Sequence, residues 1–276
     1  MFRQPAAMKV IHQVIALLKR IVHYRRSIAS LAIRIFQTKF IGTGIGPLWM
    51  ILQPLATILV FWMVFSLGFK AVGPHGSSFV AYFISAYLPW SYLTETLNSS
   101  TNTLLANRHL VKKMVFPTET LPLVEILAAS FGHLVLLVIT LIFLWLTGTP
   151  PSWRLAQLPY AYACLVCLAL GLSWLLSAIN VFHRDVGQSL AVVLNFWFWA
   201  TPVVWSVDML PLAWKPLLNF NPAYHIIEGY RSALLASTSL WDDPTQALAF
   251  WSLTISIGAM GAYVFRRLKP QFADVI

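Results

Sequence analysis

The sequence is short of charge. Asp, Glu, Lys and Arg make up 10% of its 276 residues, against about 25% in a soluble domain. So few charges cannot clothe a water-facing surface. Hydrophobic residues reach 58% and mean hydropathy is +0.71, so the chain reads as a multi-pass membrane protein whose solvent is lipid. Cysteine is nearly missing. Cys164 and Cys167 fall in the apolar run 161–171, where they read as small packing residues and not as a redox pair. Carboxylates are missing from the middle of the apolar runs, where proton-coupled carriers bury them. Glu95 and Glu125 fall near predicted helix ends, and only His133 is well inside a span. A lone histidine there reads as a helix–helix hydrogen bonder. The glycine-rich run Gly42-Thr43-Gly44-Ile45-Gly46 is followed by Pro47 and has no Lys, which excludes a phosphate-cradling P-loop. No H-E-x-x-H, paired C-x-x-C or G-x-S-x-G occurs, so no metal site and no catalytic residue is expected. The chain lacks an energy source of its own, and an external ATPase would supply it.

What is present sets the topology. About 20 residues of helix cross a bilayer core. Six uncharged gaps are long enough: Lys39–Lys70, Lys70–Glu95, Glu125–Arg154, Arg154–Arg184, Asp185–Asp208 and Asp243–Arg266. They predict six helical spans near 46–68, 78–97, 121–147, 158–182, 187–206 and 245–265. With an even number, both termini share a side. That side collects fifteen of the nineteen Lys and Arg, which makes it the cytoplasm. The net charge of +10 then needs no nucleic acid to explain it. Val14–Leu18 is too short an apolar run for a secretory signal, and Arg34 interrupts the stretch after Arg25-Arg26.

Three segments are not simple spans. Residues 10–40 carry apolar residues at helical spacing, with Ile28, Leu31, Ala32, Ile35 and Phe36 following Ser27, a candidate N-cap. Flanked by Arg25, Arg26, Arg34 and Lys39, this reads as an amphipathic helix lying in the membrane interface with its apolar face down. Residues 98–120 read as a polar loop holding a short helix near 104–114, stopped by Pro117. Residues 201–243 are broken by Pro202, Pro211, Pro216 and Pro222 yet rich in apolar residues. Short re-entrant or interfacial helices fit there, because irregular backbone at that depth must be covered by protein. Glu228 and Arg231, three apart, would pair on one helical face. Asp242-Asp243 before Pro244 reads as a helix cap. Twelve Trp and 14% aromatic residues crowd the second and fifth predicted spans. Tyr82, Tyr87, Trp90, Phe196, Trp197 and Trp199, with Trp62 and Phe65 of the first, offer faces that pack on lipid and neighbouring helices or on which sugar C–H surfaces stack.

Taken in order, several of these motifs resemble a known family. Gly46-Pro47-Leu48-Trp49 and Gln53-Pro54-Leu55 are similar to the approach to the first span in the permease subunits of type-2 ABC exporters for polysaccharides: O-antigen, capsule and teichoic acid. The extra glycines before Trp49 depart from that pattern. Asn107-Arg108, Leu110-Val111-Lys112-Lys113 and Phe116-Pro117 resemble the family's first cytoplasmic coupling segment. Phe182-His183-Arg184-Asp185 resembles its loop after the fourth span. Thr201-Pro202 and Asn221-Pro222, followed by Glu228 and Arg231, look like its outer re-entrant region.

The resemblance implies an all-α polytopic half-transporter in the bacterial inner membrane, with an N-terminal segment 1–42, a six-helix domain 43–267 and a cytoplasmic tail 268–276. It implies a homodimer bound to two copies of a separate ATPase, which would hold the ATP and Mg; this chain would hold no cofactor. Arg108, Leu110, Lys112, Lys113, Phe116, Pro117, His183, Arg184 and Asp185 would dock that ATPase. Arg25, Arg26, Arg34 and Lys39 would meet the anionic head group of a lipid-linked glycan, O-antigen type favoured, and spans one, two and five would line its conduit. Two alternatives remain open: a type-2 exporter of drugs or small lipids, and an integral-membrane glycosyl or lipid transferase.

Overall fold

The computed structural model describes residues 22–39, 41–74, 77–113, 117–150, 152–236 and 244–276. These residues form helices and turns, with no strand among them. The helices are α1 (Arg25–Thr38), α2 (Trp49–Phe61), α3 (Phe79–Ala106), α4 (Arg108–Lys113), α5 (Leu121–Leu146), α6 (Leu158–Phe182), α7 (Asp185–Ala200), α8 (Pro222–Leu235), α9 (Pro244–Leu268) and α10 (Phe272–Val275). Residues 10–21, the predicted cap Asp242-Asp243 and Phe116 lie outside the described residues.

Among the described residues four helical stretches are long and apolar enough to cross a membrane: Gly46–Gly68, Thr118–Leu146, Trp153–Phe182 and Pro244–Val275. They coincide with the first, third, fourth and sixth predicted spans. The other two predicted spans differ in kind. Helix α3 has 28 residues, about 42 Å at 1.5 Å per residue, but Tyr, Trp, Ser and Thr dilute its apolar character. Helix α7 has 16 residues, about 24 Å against a core of about 30 Å. It stops at Ala200, where Thr201 turns to extended backbone before Pro202.

The bundle is built around α3. It packs on α5, α6 and α8, while α6 pairs with α9. The α6–α9 crossing is set by glycine. A Cβ on Gly171 would lie 2.9 Å from Gly258 Cα, and one on Gly261 would lie 2.3 Å from the Gly171 carbonyl oxygen. Small residues let two backbones approach, which is how helices associate where burial in lipid supplies no hydrophobic drive. By contrast α2 is almost bare, with Trp49, Leu52, Leu55, Leu59 and Val60 all exposed. It contains Pro54 and runs into a π-helical turn at Trp62–Gly68.

Three sequence expectations are corrected. Residues 98–103, expected as loop, continue α3, which runs on to Ala106. Their polar side chains are satisfied inside the bundle: Ser100 Oγ donates to Ser173 Oγ at 2.7 Å, Thr101 Oγ1 to the Leu97 carbonyl at 2.7 Å and Thr103 Oγ1 to Glu125 Oε1 at 3.1 Å. Ser27 does not cap a helix, because α1 has already begun at Arg25. The apolar stripe of α1 does not face lipid. Ile28 and Ala32 are buried against Val124 and Ala128 of α5, with Leu31, Ile35 and Phe36 beside them, and the Phe36 and Phe131 rings are 5.2 Å apart.

Other expectations match. His133 Nε2 lies 2.8 Å from the Tyr230 hydroxyl, joining α5 to α8. Arg231 Nη1 donates to Glu228 Oε1 at 2.7 Å. Cys164 is buried as a packing residue, whereas Cys167 is exposed. The segment 269–276 does not trail away: a turn at Lys269–Gln271 leads into α10, whose Phe272 is buried.

Candidate conduit and coupling surfaces

A helix repeats its faces every three to four residues. Tyr87, Trp90, Ser91, Thr94 and Asn98 therefore form one stripe along α3. This stripe borders two clefts. One, of about 690 Å³, lies between α2, α3 and α5, and its lining includes Gln53, Pro54, Gly132 and Leu136. The other, of about 360 Å³, lies between α2, α3 and α7, and its lining includes Thr57, Phe61, Asn195, Phe198 and Trp199. Tyr87, Trp90, Thr94 and Asn98 belong to both. Gln53 and Thr57, four apart on α2, lie across from them. The surface combines aromatic rings with amides and hydroxyls. Such polar groups are costly in lipid unless they face protein or a wet cavity.

The sequence-derived conduit residues separate in the structure. Tyr87, Trp90 and Trp199 line the clefts. Phe65 stacks on Phe79 at 5.1 Å. Trp197 is tied down, its Nε1 donating to Asn221 Oδ1 at 2.8 Å and its ring edge-on to Trp90 at 5.7 Å. The Tyr82 hydroxyl donates to the Trp205 carbonyl at 3.1 Å, and its ring lies 3.7 Å beneath the Arg231 guanidinium. Phe196 and Trp62 are exposed and line neither cleft. The sequence reading does not assign Gln53, Thr57, Asn98 or Asn195 to the conduit. The signal was there: amides and hydroxyls spaced by four within otherwise apolar stretches.

At one mouth of the larger cleft Lys39, just past the end of α1, reaches α3 and pairs with Glu95 at 2.7 Å. Both are partly exposed and both line the cleft. Arg25, Arg26 and Arg34 are exposed on α1. The remaining basic candidates gather at the same end of the bundle. Arg108 and Lys112 are exposed on α4, Leu110 is half-buried, Lys113 closes the helix, and Pro117 opens the turn at Thr118–Thr120. His183, Arg184 and Asp185 are exposed between α6 and α7.

Asn180, not anticipated from sequence, ties these pieces together. Its Nδ2 donates to the Thr101 carbonyl at 3.0 Å and to Asn102 Oδ1 at 3.1 Å, while its Oδ1 accepts from Gly187 N at 2.8 Å. A Cβ on Gly187 would come within 3.0 Å of that oxygen. The last turns of α3 and α6 and the first turn of α7 are thus joined at one residue.

At the opposite end Arg231 and Asn221 organise the segment after α7. Arg231, 2% exposed, donates through Nη2 to the Pro202 and Val203 carbonyls at 2.6 and 3.0 Å. Asn221 caps α8 through Ala223 N, and its Nδ2 donates to Thr201 Oγ1 at 2.8 Å. Arg154 Nη1 donates to the carbonyl of Ala236, just past the end of α8, at 2.6 Å, which suits a cation at a helix C-terminus. Among the described residues no group of His, Cys, Asp or Glu is arranged to hold a metal.

Comparison with known proteins places this architecture. An O-antigen export system permease protein (RfbA) of Myxococcus xanthus is 25% identical over 265 residues, covering 95% of this chain and 100% of its own length. A protein of the same name from Klebsiella pneumoniae is 23% identical over 241 residues, covering 87% and 91%. The polysialic acid transport protein KpsM of Escherichia coli is 20% identical over 211 residues, covering 76% and 81%. The family described as ABC-2 type transporter matches residues 26–235, helix α1 through α8. The chain belongs to the ABC-2 type transporter family of membrane domains.

Proposed function

We propose that this chain is the membrane permease of an exporter that carries lipid-linked polysaccharide, O-antigen type, across the bacterial inner membrane. The observation that carries the reading is the stripe on α3, where two aromatic rings, Tyr87 and Trp90, are followed by the hydroxyls of Ser91 and Thr94 and the amide of Asn98 beside two clefts. Rings that stack on sugar C–H faces, with amides that bond hydroxyls in no fixed pattern, suit a polymer that slides. The names of the relatives support the same substrate class. In this reading α2, α3, α5, α6, α7 and α9 are six spans, and both termini are cytoplasmic. The segment from Thr201 to Leu235 is the outer re-entrant part. Two copies of the chain assemble with two copies of a separate ATPase, which holds ATP and Mg and docks on α4 and the His183–Asp185 turn. This chain performs no catalysis.

The test is complementation of a strain lacking the gene, with lipid-linked glycan measured inside the cell and at its surface. Loss of the gene should leave polymer accumulating inside and missing outside. Gln53→Leu with Asn98→Leu should keep the protein at normal level and lower surface polymer about tenfold, the worth of one or two hydrogen bonds. Unchanged surface polymer with altered sensitivity to small amphiphiles would point to an exporter of drugs or small lipids. Loss of polymer on both sides would point to a transferase.

Lys39 and Glu95 give a sharper expectation. If Lys39 meets an anionic head group, Glu95 competes with the substrate for it. Lys39→Gln should then lower export about tenfold, as loss of a charge-assisted bond does, while Glu95→Gln should retain or raise it. Equal losses from both changes, read from the surface glycan ladder, would make the pair a structural clasp instead.

A further inference from the structure

Helix α4 has six residues, too few to hold itself in water, where helices shorter than about 12 residues are marginal. Something else must hold it. Of its described side chains only Val111 is buried. Val111 belongs to a small apolar cluster with Leu104, Leu121, Val181, Phe265 and Phe272, separate from the main core. Phe272 comes from the segment after α9. It is 1% exposed and sits edge-on to Phe265 at 5.3 Å. Among the described residues α4 packs chiefly on α10, which carries Phe272, and on α3, from which it continues. Lys269 adds a second attachment through its ion pair with Glu119, in the turn just beyond α4. The Glu119 carbonyl is held in turn by Trp174 Nε1 of α6 at 3.0 Å.

From this we infer that residues 269–276 are a strap that positions the ATPase-coupling helix α4, with Phe272 and Lys269 as its positioning residues. The inference rests on the reading of α4 as the docking helix. The strap is continuous with α9, and α9 is locked to α6 at Gly171 and Gly261. A push on α4 is therefore passed directly to the last spanning helix, as well as along the chain into α3. Contacts of this sort carry coupling when the element they hold has two positions that both sites bias.

The experiment uses the whole transporter with its ATPase, in lipid. It compares Phe272→Ala, Phe272→Leu and Lys269→Gln with a direct α4 variant, Arg108→Glu with Lys112→Glu. Three quantities are read: the ATPase retained on purification, the rate of ATP hydrolysis, and the glycan exported per ATP. Phe272→Ala should retain the ATPase and hydrolyse ATP, yet export at least about fivefold less glycan per ATP, the lower bound of ordinary coupling energies. Phe272→Leu should restore most of that ratio, and Lys269→Gln should lower it by a smaller factor. The strap is overturned if Phe272→Ala leaves glycan per ATP unchanged while the α4 variant loses it. It is also overturned if Phe272→Ala only reduces protein amount, with hydrolysis and export falling in proportion. If the α4 variant itself keeps the ATPase bound and coupled, the docking reading fails, and the strap with it.

Discussion

Gly261→Ala should separate α6 from α9, while the same change three residues earlier, Gly258→Ala, should do almost nothing. The added Cβ at Gly261 would stand 2.3 Å from a backbone carbonyl oxygen, that of Gly171, whereas one at Gly258 meets no atom within 4 Å. A flexible side chain could move aside; a helix backbone cannot do so without moving the helix. Overpacking of this kind costs about 1–3 kcal/mol in ordinary cores, and a clash with backbone places Gly261 at the upper end. Since a domain is stable by only about 5–15 kcal/mol, the loss is large. Thermal unfolding in detergent should show a clear drop in midpoint for Gly261→Ala and none for Gly258→Ala. Similar midpoints for the two would mean that the crossing is looser than the contact implies.

Arg231→Met is the second change with a large expected effect. The guanidinium bonds Glu228 and the carbonyls of Pro202 and Val203, and it lies over the Tyr82 ring. Methionine fills much of the volume but leaves two carbonyls without that donor. Removing one member of a buried charged network costs about 3–5 kcal/mol. Glu228 keeps access to water, its side chain being 29% exposed, so the lower end applies. Arg231→Lys should recover little, because an ammonium cannot reproduce the planar fork that reaches α8's own Glu228 and the turn after α7 together. Limited proteolysis supplies the check. Cleavage between residues 201 and 221 should become much faster in both variants while the rest of the bundle stays resistant. Unchanged resistance would show that Asn221 alone secures the turn.

The sequence was most legible where charge marks the end of an apolar run. Residues 158–182 were expected as a span, and α6 has those bounds, because Arg154 and Arg184 sit just outside them. It was least legible where polar residues find partners inside the bundle. Ser100, Thr101 and Thr103 count as loop-like to any hydropathy scale, yet each is buried and hydrogen-bonded. A scale weighs a hydroxyl without knowing what stands opposite it. The stripe of α1 shows the same limit, since periodicity reveals that Ile28 and Ala32 share a face but not whether lipid or α5 covers it. Aromatic residues marked the clefts through Tyr87, Trp90 and Trp199, while Phe196 and Trp197 were indistinguishable from them by type. Rotation about the helix axis separates them, and no residue type encodes rotation.

The bareness of α2 has a consequence for measurement. Its own chain covers little of Gly46–Gly68, so most of that helix's surface must meet lipid, detergent or another protein. Whatever binds the folded chain and not the unfolded one adds to stability in proportion to the logarithm of its concentration. The melting midpoint of this protein is therefore not a property of its sequence alone. It should rise with the protein-to-detergent ratio and with added lipid. A substitution on the open face of α2 should look harmless in a crowded membrane and severe in a dilute preparation.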